Sequence, residues 1–240
     1  MAEYFDMHCH LLFGVDDGPQ TLEESLALLK QEYDDGVRTI FLTPHYRKGM
    51  FESPPELRMR NFRLLQAQAA RQFPDLRLYL GCELHVTMEL EQDLAEGRAH
   101  TMGETDLILL EFPESAGKRH ILERCHTAMS RGYRPILAHA ERCDAVRRDP
   151  DLLQRLADMG VYIQMNAGSI VGEEGLAMKW FCRKVMRWGL LHLVGTDAHN
   201  LKGRRPNLYP CSRYIQRILG SEWQEYLLHG SPLAIIEGSD

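Results

Sequence analysis

The sequence lacks several features that would place it in a well-marked class. No apolar run approaches the ~20 residues of a membrane-spanning helix. The N-terminus has no basic segment followed by an apolar stretch, so we expect the protein to stay in the cytoplasm. The six cysteines form no C-x-x-C pair, which fits a reducing compartment better than a disulfide framework.

Other motifs are also missing. There is no Walker A loop, no G-x-G-x-x-G fingerprint and no G-x-S-x-G elbow. The net charge of −6 argues against a general nucleic-acid or membrane-surface binder, so we expect neither partner. We find no linker, low-complexity run or internal repeat, and 44% of residues are hydrophobic, so we expect residues 1–240 to form one domain with a substantial core.

Short apolar runs alternate with helical patterns along the chain. We predict seven strands, ending near residues 10, 43, 81, 110, 138, 165 and 195. Thr21 and Glu24 form a capping box that begins the first helix, and Asp149 is predicted to cap a later helix that starts at Pro150. Nearly continuous apolar strands are typical of parallel sheets covered on both faces, so a closed or nearly closed (β/α) barrel is favoured over an open doubly wound sheet.

Metal-competent side chains stand at the ends of six of the seven predicted strands. Because residues i and i+2 of a strand point to the same side, His8 and His10 can converge on one ion. The others are His45, Glu83, Glu111, His139, Asp197 and His199, with Asp17 from the first loop. Barrel active sites are built at this end of the strands. Five histidines and four carboxylates are too many for one ion, so we predict two or three divalent cations, with Mn, Fe or Zn suiting the mixed N and O donors.

Such clustered cations suit hydrolysis of a phosphoester. Arg142 and Arg204 follow His139 and His199 on the same rim, where a guanidinium can bind phosphate. A cysteine-based phosphatase needs C-x5-R in a phosphate-cradling loop, and the two formal matches begin at Cys125 and Cys211. Both lie in helical patterns, so we interpret these cysteines as small, partly buried apolar residues.

Seven motifs together resemble the polymerase-and-histidinol-phosphatase (PHP) superfamily, and within it the bacterial manganese-dependent protein-tyrosine phosphatases of capsule and exopolysaccharide synthesis. They are Asp6-Met7-His8-Cys9-His10, Val15-Asp16-Asp17-Gly18-Pro19, Thr43-Pro44-His45, Arg47-Lys48-Gly49-Met50-Phe51-Glu52, Glu111-Phe112-Pro113, Ala138-His139-Ala140-Glu141-Arg142 and Thr196-Asp197-Ala198-His199-Asn200. The resemblance spans nearly the whole chain, with order and spacing kept.

The resemblance implies a single PHP-type phosphatase domain, built as a distorted, TIM-like (β/α)7 barrel with three metals, most naturally Mn. It places His8, His10, Glu83 and Asp197 on one metal, Glu83, Glu111 and His139 on a second, and Asp17, His45 and His199 on a third. Arg142 and Arg204 match the family's phosphate-contacting arginines, although the adjacent Arg205 leaves the register open. The implied nucleophile is a metal-bridging hydroxide, and the implied partner is a bacterial tyrosine autokinase.

Alternatives remain. Two of them also hydrolyse phosphoesters: a small-molecule phosphatase, such as one acting on histidinol phosphate, and a PHP-type exonuclease, which the negative net charge disfavours. A metal-binding regulatory domain without turnover is a non-enzymatic alternative, against which the intact donor set speaks. An amidohydrolase would be expected to have Lys or His where Glu111 stands. Two departures from the family pattern, Ala140 and Cys143, fall in the loop that carries Arg142. The basic and aromatic loop Tyr46–Phe51 is either a mouth for a phosphopeptide or a solvated loop.

Overall fold

Strands and helices alternate along the computed structural model, which describes residues 3–239. The strands are β1 (Tyr4–Cys9), β2 (Val37–Leu42), β3 (His45–Tyr46), β4 (Arg77–Leu80), β5 (Glu83–His85), β6 (Leu107–Glu111), β7 (Arg134–Leu137), β8 (Tyr162–Asn166) and β9 (Leu193–Gly195). The helices are α1 (Leu22–Asp34), α2 (Pro55–Gln72), α3 (Leu90–Ala95), α4 (Lys118–Ser130), α5 (Asp144–Arg148), α6 (Asp151–Asp158), α7 (Ala167–Val171), α8 (Leu176–Arg187), α9 (Leu208–Leu219), α10 (Ser221–Glu225) and α11 (Ser231–Glu237). Short 3-10 turns lie at Met102–Glu104 and Ala140–Arg142, and a π-helical turn at Tyr226–Gly230 joins α10 to α11.

The strands form a ring of parallel neighbours. Hydrogen bonds order them as β1-β2-β4 and as β3-β5-β6-β7-β8-β9. Since β3 prolongs β2 and β5 prolongs β4 after a short break, the nine segments amount to seven barrel strands. The ring closes beside β9, where the Asp197 N–H donates to the His8 carbonyl at 2.7 Å and the His10 N–H donates to the Ala198 carbonyl at 2.9 Å. The predicted seven-stranded α/β barrel is confirmed.

One half of the barrel interior is filled by apolar side chains. They are Phe5, Met7, Phe41, Leu107, Leu109, Ile136, Ala138 and Leu193, together with Met102 and Ile235. The Arg134 guanidinium at the start of β7 donates to the Ile235 carbonyl, so the last helix covers the N-terminal end of the strands. Because this half of the interior is closed and apolar, the polar side chains collect at the opposite, C-terminal end.

A local sequence signal explains where the first helix begins. The predicted capping box is present, since the Thr21 hydroxyl accepts from the Glu24 N–H and the Glu24 carboxylate accepts from the Thr21 N–H, both at 3.2 Å. The predicted cap position at Asp149 is wrong by one residue, because the helix begins at Asp151 with Pro150 at the N-cap. The Asp149 carboxylate pairs with Lys118. Within residues 3–239, no helix is both long and apolar enough to cross a membrane.

Candidate active site

His8 and His10 reach the barrel interior because β1 is irregular near its end. The pairing of β1 with β2 shifts register shortly before Cys9. Phe5 and Met7 lie in the apolar interior cluster, whereas Cys9 belongs to the core outside the barrel. An irregularity of this kind reverses the in–out alternation of a strand. The two buried histidines therefore share the inner side, with their Nε2 atoms 3.3 Å apart.

Asp6 and Gly195 support this irregular stretch. Asp6 Oδ1 accepts from the N–H groups of His8 (3.1 Å) and Thr196 (2.9 Å), while Oδ2 accepts from the Thr196 hydroxyl at 2.5 Å. A Cβ atom at position 195 would stand 2.5 Å from the His8 Cβ. Only glycine therefore allows β9 to approach β1 closely enough to close the ring.

Glu83 lies at the centre of the cluster. This carboxylate is buried at the start of β5, and four histidines surround it. The nearest nitrogen is 2.7 Å away in His139, 2.8 Å in His45, 3.3 Å in His10 and 3.4 Å in His8. One carboxylate thus contacts donors from three other barrel strands, the position expected of a ligand that bridges two ions.

Asp17, His45 and His199 meet on the side of the cluster nearest the solvent. Asp17 Oδ1 lies 3.3 Å from His199 Nε2 and 3.6 Å from His45 Nε2. The His10 and His199 rings stack with their centroids 3.9 Å apart. The loop after β1 therefore faces the ends of the second and seventh barrel strands.

Glu111 continues the inward alternation of Leu107 and Leu109 along β6, which brings it to the rim. One of its oxygens lies within 4.8 Å of ligand atoms of both His45 and Glu83. Its Oε2 atom also lies 3.0 Å from Nδ1 of His85, a residue that the sequence reading did not single out. With Glu111, all nine residues of the predicted metal set lie in one connected cluster.

Three groups in this cluster have ligand atoms within 4.8 Å of one another. They are His10, Asp17, His45 and His199; His8, His10 and Asp197; and His45, Glu83 and Glu111. This partition differs from the implied one, because His139 is in none of the three groups, Glu83 is absent from the group of His8 and Asp197, and His10 and His45 each belong to two groups. The donor set fits divalent cations chemically, and within residues 3–239 two buried ring atoms, His139 Nδ1 and His199 Nε2, form no hydrogen bond of good geometry.

The cluster perturbs its own protonation. Burial opposes a positive charge on His10, but its hydrogen bonds with Asp16 and Glu83 outweigh burial and raise its pKa to about 10. In His139, burial is likewise outweighed by Glu83, and the pKa rises to about 9. Burial, reinforced by the charge of His10, lowers the pKa of His199 to about 2. Cations bound here would take the place of protons on the histidines.

Arg142 joins the metal-competent side of the cleft to an acidic loop. Its Nη1 donates to Asp197 Oδ2 at 2.9 Å. Its Nε and Nη2 both donate to Glu174 Oε1, at 3.1 and 2.6 Å. It follows His139, whose φ of +30° is a strained, left-handed conformation for a residue with a side chain.

Arg204 reaches the same carboxylate from the loop after β9. Its Nη2 donates to Asp197 Oδ1 at 2.7 Å. Asn200 shapes this loop, since its side-chain oxygen accepts from the N–H groups of Gly203 (2.8 Å) and Arg204 (3.3 Å). Arg204 lines the central cleft, whereas Arg205 does not. This geometry favours the register that assigns Arg204 to the site.

Three further residues orient the cluster. Asp16 Oδ2 lies 2.8 Å from His10 Nδ1 and accepts from the His45 N–H at 2.9 Å. Gln164 Oε1 lies 3.2 Å from His8 Nδ1. The Asn166 amide donates to Asp197 Oδ2 at 2.8 Å. The signal for Gln164 was a single polar residue within an apolar strand, and the signal for Asn166 was its position at the end of that strand.

The six cysteines are free and buried. Cys125 lies inside α4 and Cys211 inside α9, away from any phosphate-cradling loop. Burial raises the pKa of Cys125 to about 12 and also raises that of Cys211. Neither thiol forms a nucleophilic thiolate near neutral pH.

Fold and cluster together define an α/β-barrel protein with a candidate divalent-metal centre at its C-terminal rim. The chain belongs to the CpsB/CapC family of capsular polysaccharide synthesis, whose model matches residues 4–237. The resemblance to bacterial phosphatases of capsule synthesis is thereby confirmed.

Individual relatives agree. The chain is 35% identical over 226 residues to the tyrosine-protein phosphatase CpsB of Streptococcus agalactiae, covering 90% of this chain and 91% of that protein. It is 30% identical to the tyrosine-protein phosphatase YwqE of Bacillus subtilis, covering 96% and 91%.

Solved structures extend the comparison. One similar chain comes from the crystal structures of YwqE from Bacillus subtilis and CpsB from Streptococcus pneumoniae, which are described as metal-dependent tyrosine phosphatases. It has a TM-score of 0.89 and 29% sequence identity, and the match covers 98% of this chain and 95% of that one. A phosphotriesterase homology protein from Escherichia coli has a TM-score of 0.62 at 12% identity, covering 96% and 97%, and shares the fold alone.

Proposed function

We propose that this protein is a metal-dependent tyrosine-protein phosphatase. The observation that carries the proposal is one cleft of about 390 Å³ in which cluster residues such as Glu83, Glu111 and His139 face Arg142 and Arg204. Its similarity to proteins named tyrosine-protein phosphatases supports the same activity. A phosphate monoester needs cations and hydrogen-bond donors around one phosphorus atom, and this cleft offers places for both.

The nine clustered residues are the proposed metal ligands: His8, His10, Asp17, His45, Glu83, Glu111, His139, Asp197 and His199. We expect three divalent ions, with Mn favoured by the family resemblance and Fe or Zn compatible with the donors. Bound there, the ions would supply a hydroxide nucleophile at neutral pH and neutralise phosphoryl charge. The chain's own part is to fix the ligands, chiefly through Glu83, and to keep the floor of the barrel apolar.

Arg142 and Arg204 are the proposed phosphate-binding residues. Both donate to Asp197 at the edge of the cleft, so their guanidinium groups are already aimed at the place where ligands and substrate would meet. A phosphoryl group offers oxygens to the remaining donors of the same planar forks. Neither arginine can itself bind a divalent cation, so their role is separable from that of the ligands.

A tyrosine-phosphorylated bacterial autokinase is the proposed substrate, as the capsule-synthesis family implies. The proposed location is the cytoplasm, which the six free cysteines fit. We propose no nucleic-acid partner, in keeping with the net charge of −6.

The decisive experiment compares four substrates with one metal-loaded preparation. We expect turnover of a tyrosine-phosphorylated peptide to exceed that of the matched phosphoserine peptide, histidinol phosphate and single-stranded DNA. Preferred turnover of histidinol phosphate or DNA would replace the proposal with the corresponding alternative. If none of the four substrates is turned over, a metal-binding regulatory domain is the remaining alternative.

Two controls test the nucleophile and the metal centre. EDTA should abolish activity, while Cys125→Ser should leave it intact because the thiol is buried in a helix. Chelator-resistant activity that is lost in Cys125→Ser would reverse the assignment. Elemental analysis of protein purified without chelator should find more than one transition-metal equivalent per chain, and full activity at one equivalent or fewer would refute the multi-metal centre.

A further inference from the structure

A small turn at residues 47–51 overhangs the cleft. The Arg47 N–H donates to the Phe51 carbonyl at 2.9 Å and the Phe51 N–H donates to the Arg47 carbonyl at 2.8 Å, which closes the turn as a short antiparallel bridge. Glu52 accepts from the Gly49 N–H at 2.8 Å, and Gly49 adopts a φ of +74°, which suits glycine. The Lys48 ammonium lies 3.0 Å from the Asp93 carboxylate, which ties the turn to α3. These contacts brace the two ends of the segment, while residues 48–50 at its tip are exposed to solvent.

The Phe51 ring stacks on a member of the cluster and also lines the cleft. It lies parallel to the His45 ring, with centroids 5.0 Å apart and an interplanar angle of 13°. Phe51 lines the cleft together with Arg142 and Arg204. An aromatic face at the cleft wall is a suitable contact for a planar phenyl group, because offset ring pairs gain energy beyond simple burial.

Arg47 differs from the other two arginines of the cleft in its partners. Arg142 donates to Glu174 and Asp197, and Arg204 donates to Asp197. Arg47 also lines the cleft, but no carboxylate of residues 3–239 forms an ion pair with it. A partly exposed cation left without an internal counter-charge attracts an anion from solution.

The geometry points to the Arg47–Phe51 turn as the element that recognises phosphotyrosine: Phe51 packs against the phenyl ring of the substrate while Arg47 binds its phosphoryl group. This inference rests on the proposed phosphatase function and deepens it, since it explains how an aromatic ester would be preferred over the shorter phosphoserine. The two ends of the turn then have separate roles, because Phe51 contacts the phenyl ring and Arg47 binds the charged phosphoryl group.

The test uses two competitive inhibitors of phosphopeptide hydrolysis that contain no ester bond for the enzyme to hydrolyse. Phenylphosphonate carries the ring and methylphosphonate does not, so the ratio of their inhibition constants isolates the ring contact. Phe51→Ala should raise the inhibition constant of phenylphosphonate by about 2- to 12-fold and leave that of methylphosphonate nearly unchanged. Arg47→Ala should weaken both inhibitors by on the order of 10-fold, the low end for a charge-assisted contact because the side chain is partly exposed. Phe51→Trp, which keeps an aromatic face, should retain the preference.

Met50→Ala is the matched control, because Met50 lies on the same turn but is 61% exposed and does not line the cleft. It should change neither constant. Metal content is measured in every variant, and Phe51→Leu, which keeps apolar cover over His45, serves if Phe51→Ala loses metal.

An unchanged inhibitor ratio in a metal-replete Phe51 variant would overturn the inference, and so would an equal loss in Met50→Ala. A wild-type enzyme that does not hydrolyse the phosphotyrosine peptide would instead defeat the proposed function itself.

Discussion

Replacing Asp16 by asparagine tests whether a carboxylate outside the proposed ligand set nevertheless controls metal binding. The Asp16 carboxylate is buried beneath the first loop. Its Oδ2 atom lies 2.8 Å from His10 Nδ1, and its Oδ1 atom accepts from the Gly18 N–H at 3.0 Å. Burial would raise the pKa of Asp16, but the hydrogen bond with His10 and the charge of His10 hold it below its ordinary value. Asparagine keeps the shape of the side chain but removes the charge.

The expected loss follows from the partner. A hydrogen bond to a charged group contributes about 1.5–3 kcal/mol, and the carboxylate also fixes which nitrogen of His10 carries the proton. Loss of such a supporting carboxylate typically lowers metal affinity by about 10- to 100-fold. We therefore expect Asp16→Asn to bind metal more weakly by about that factor, while saturating metal restores most of the phosphatase activity.

Competition with a chelator of known affinity, followed by elemental analysis, measures the change directly. Asp75→Asn is the control, because Asp75 is an exposed carboxylate that pairs with Arg38 and Tyr33 on the far side of the fold. If Asp16→Asn folds normally and binds metal as tightly as the wild type, Asp16 does not orient His10 and the reasoning fails.

Three further predictions follow from individual contacts. Arg142→Ala and Arg204→Ala should keep full metal content while kcat/KM falls roughly 10- to 150-fold, the equivalent of one charge-assisted hydrogen bond; loss of metal in either would make it a structural support. Gly195→Ala should lower metal content, because the new Cβ would stand 2.5 Å from the His8 Cβ, and elemental analysis would contradict this if the content stayed at the wild-type level. Burial and the neighbouring Asp6 raise the pKa of Glu32 well above its ordinary value, so the folded state holds that proton more tightly and loses stability as pH rises above about 4.3. Urea titrations at pH 5 and pH 8 should therefore show that the free energy of unfolding of Glu32→Gln increases relative to that of the wild type as pH rises. The same difference between the two proteins at both pH values would show that Glu32 is ionised in the folded state.

The barrel was predictable from the sequence because its two main signals are local. Apolar runs of strand length alternate with helical patterns, and Thr21 and Glu24 show where the first helix begins. The helix α5 was missed because its five residues, four of them charged or small, carry no apolar period. The Asp149 cap was misplaced by one residue, because the Asp149-Pro150 signal does not decide whether the helix begins at Pro150 or at Asp151.

The nine metal-competent residues were predictable as a set for a different reason. Each lies near the C-terminal end of a barrel strand or on the adjoining loop, and parallel strands bring these ends together whatever the details of packing. Which residues share an ion was not predictable, because it depends on side-chain direction. The structure groups His10 with Asp17, whereas His139 belongs to none of the three groups and lies 2.7 Å from Glu83.

The in–out direction of β1 was the least predictable element. The spacing of His8 and His10 places them on one side of a strand, but does not say which side. The preceding Phe5 and Met7 point inward, so a regular strand would have turned both histidines outward into the surrounding core. The irregularity that corrects this depends on Asp6, which accepts hydrogen bonds from β1 and from Thr196, far away in sequence. Tertiary hydrogen bonding therefore decides a feature that local sequence leaves open.

Asp197 connects the two chemical halves of the site. Its Oδ1 lies 3.5 Å from His10 Nε2 and accepts from Arg204, while its Oδ2 accepts from Arg142 and Asn166. Its φ of +53° is unfavourable for a residue with a side chain, and its N–H is used to close the barrel against β1. A strained residue with this many partners is held in place by the whole barrel, so its carboxylate needs no reorganisation when a substrate arrives. Because Oδ1 faces both His10 and Arg204 while Oδ2 faces Arg142, this single carboxylate brings the proposed metal ligands and the proposed phosphate-binding arginines together at one point of the cleft.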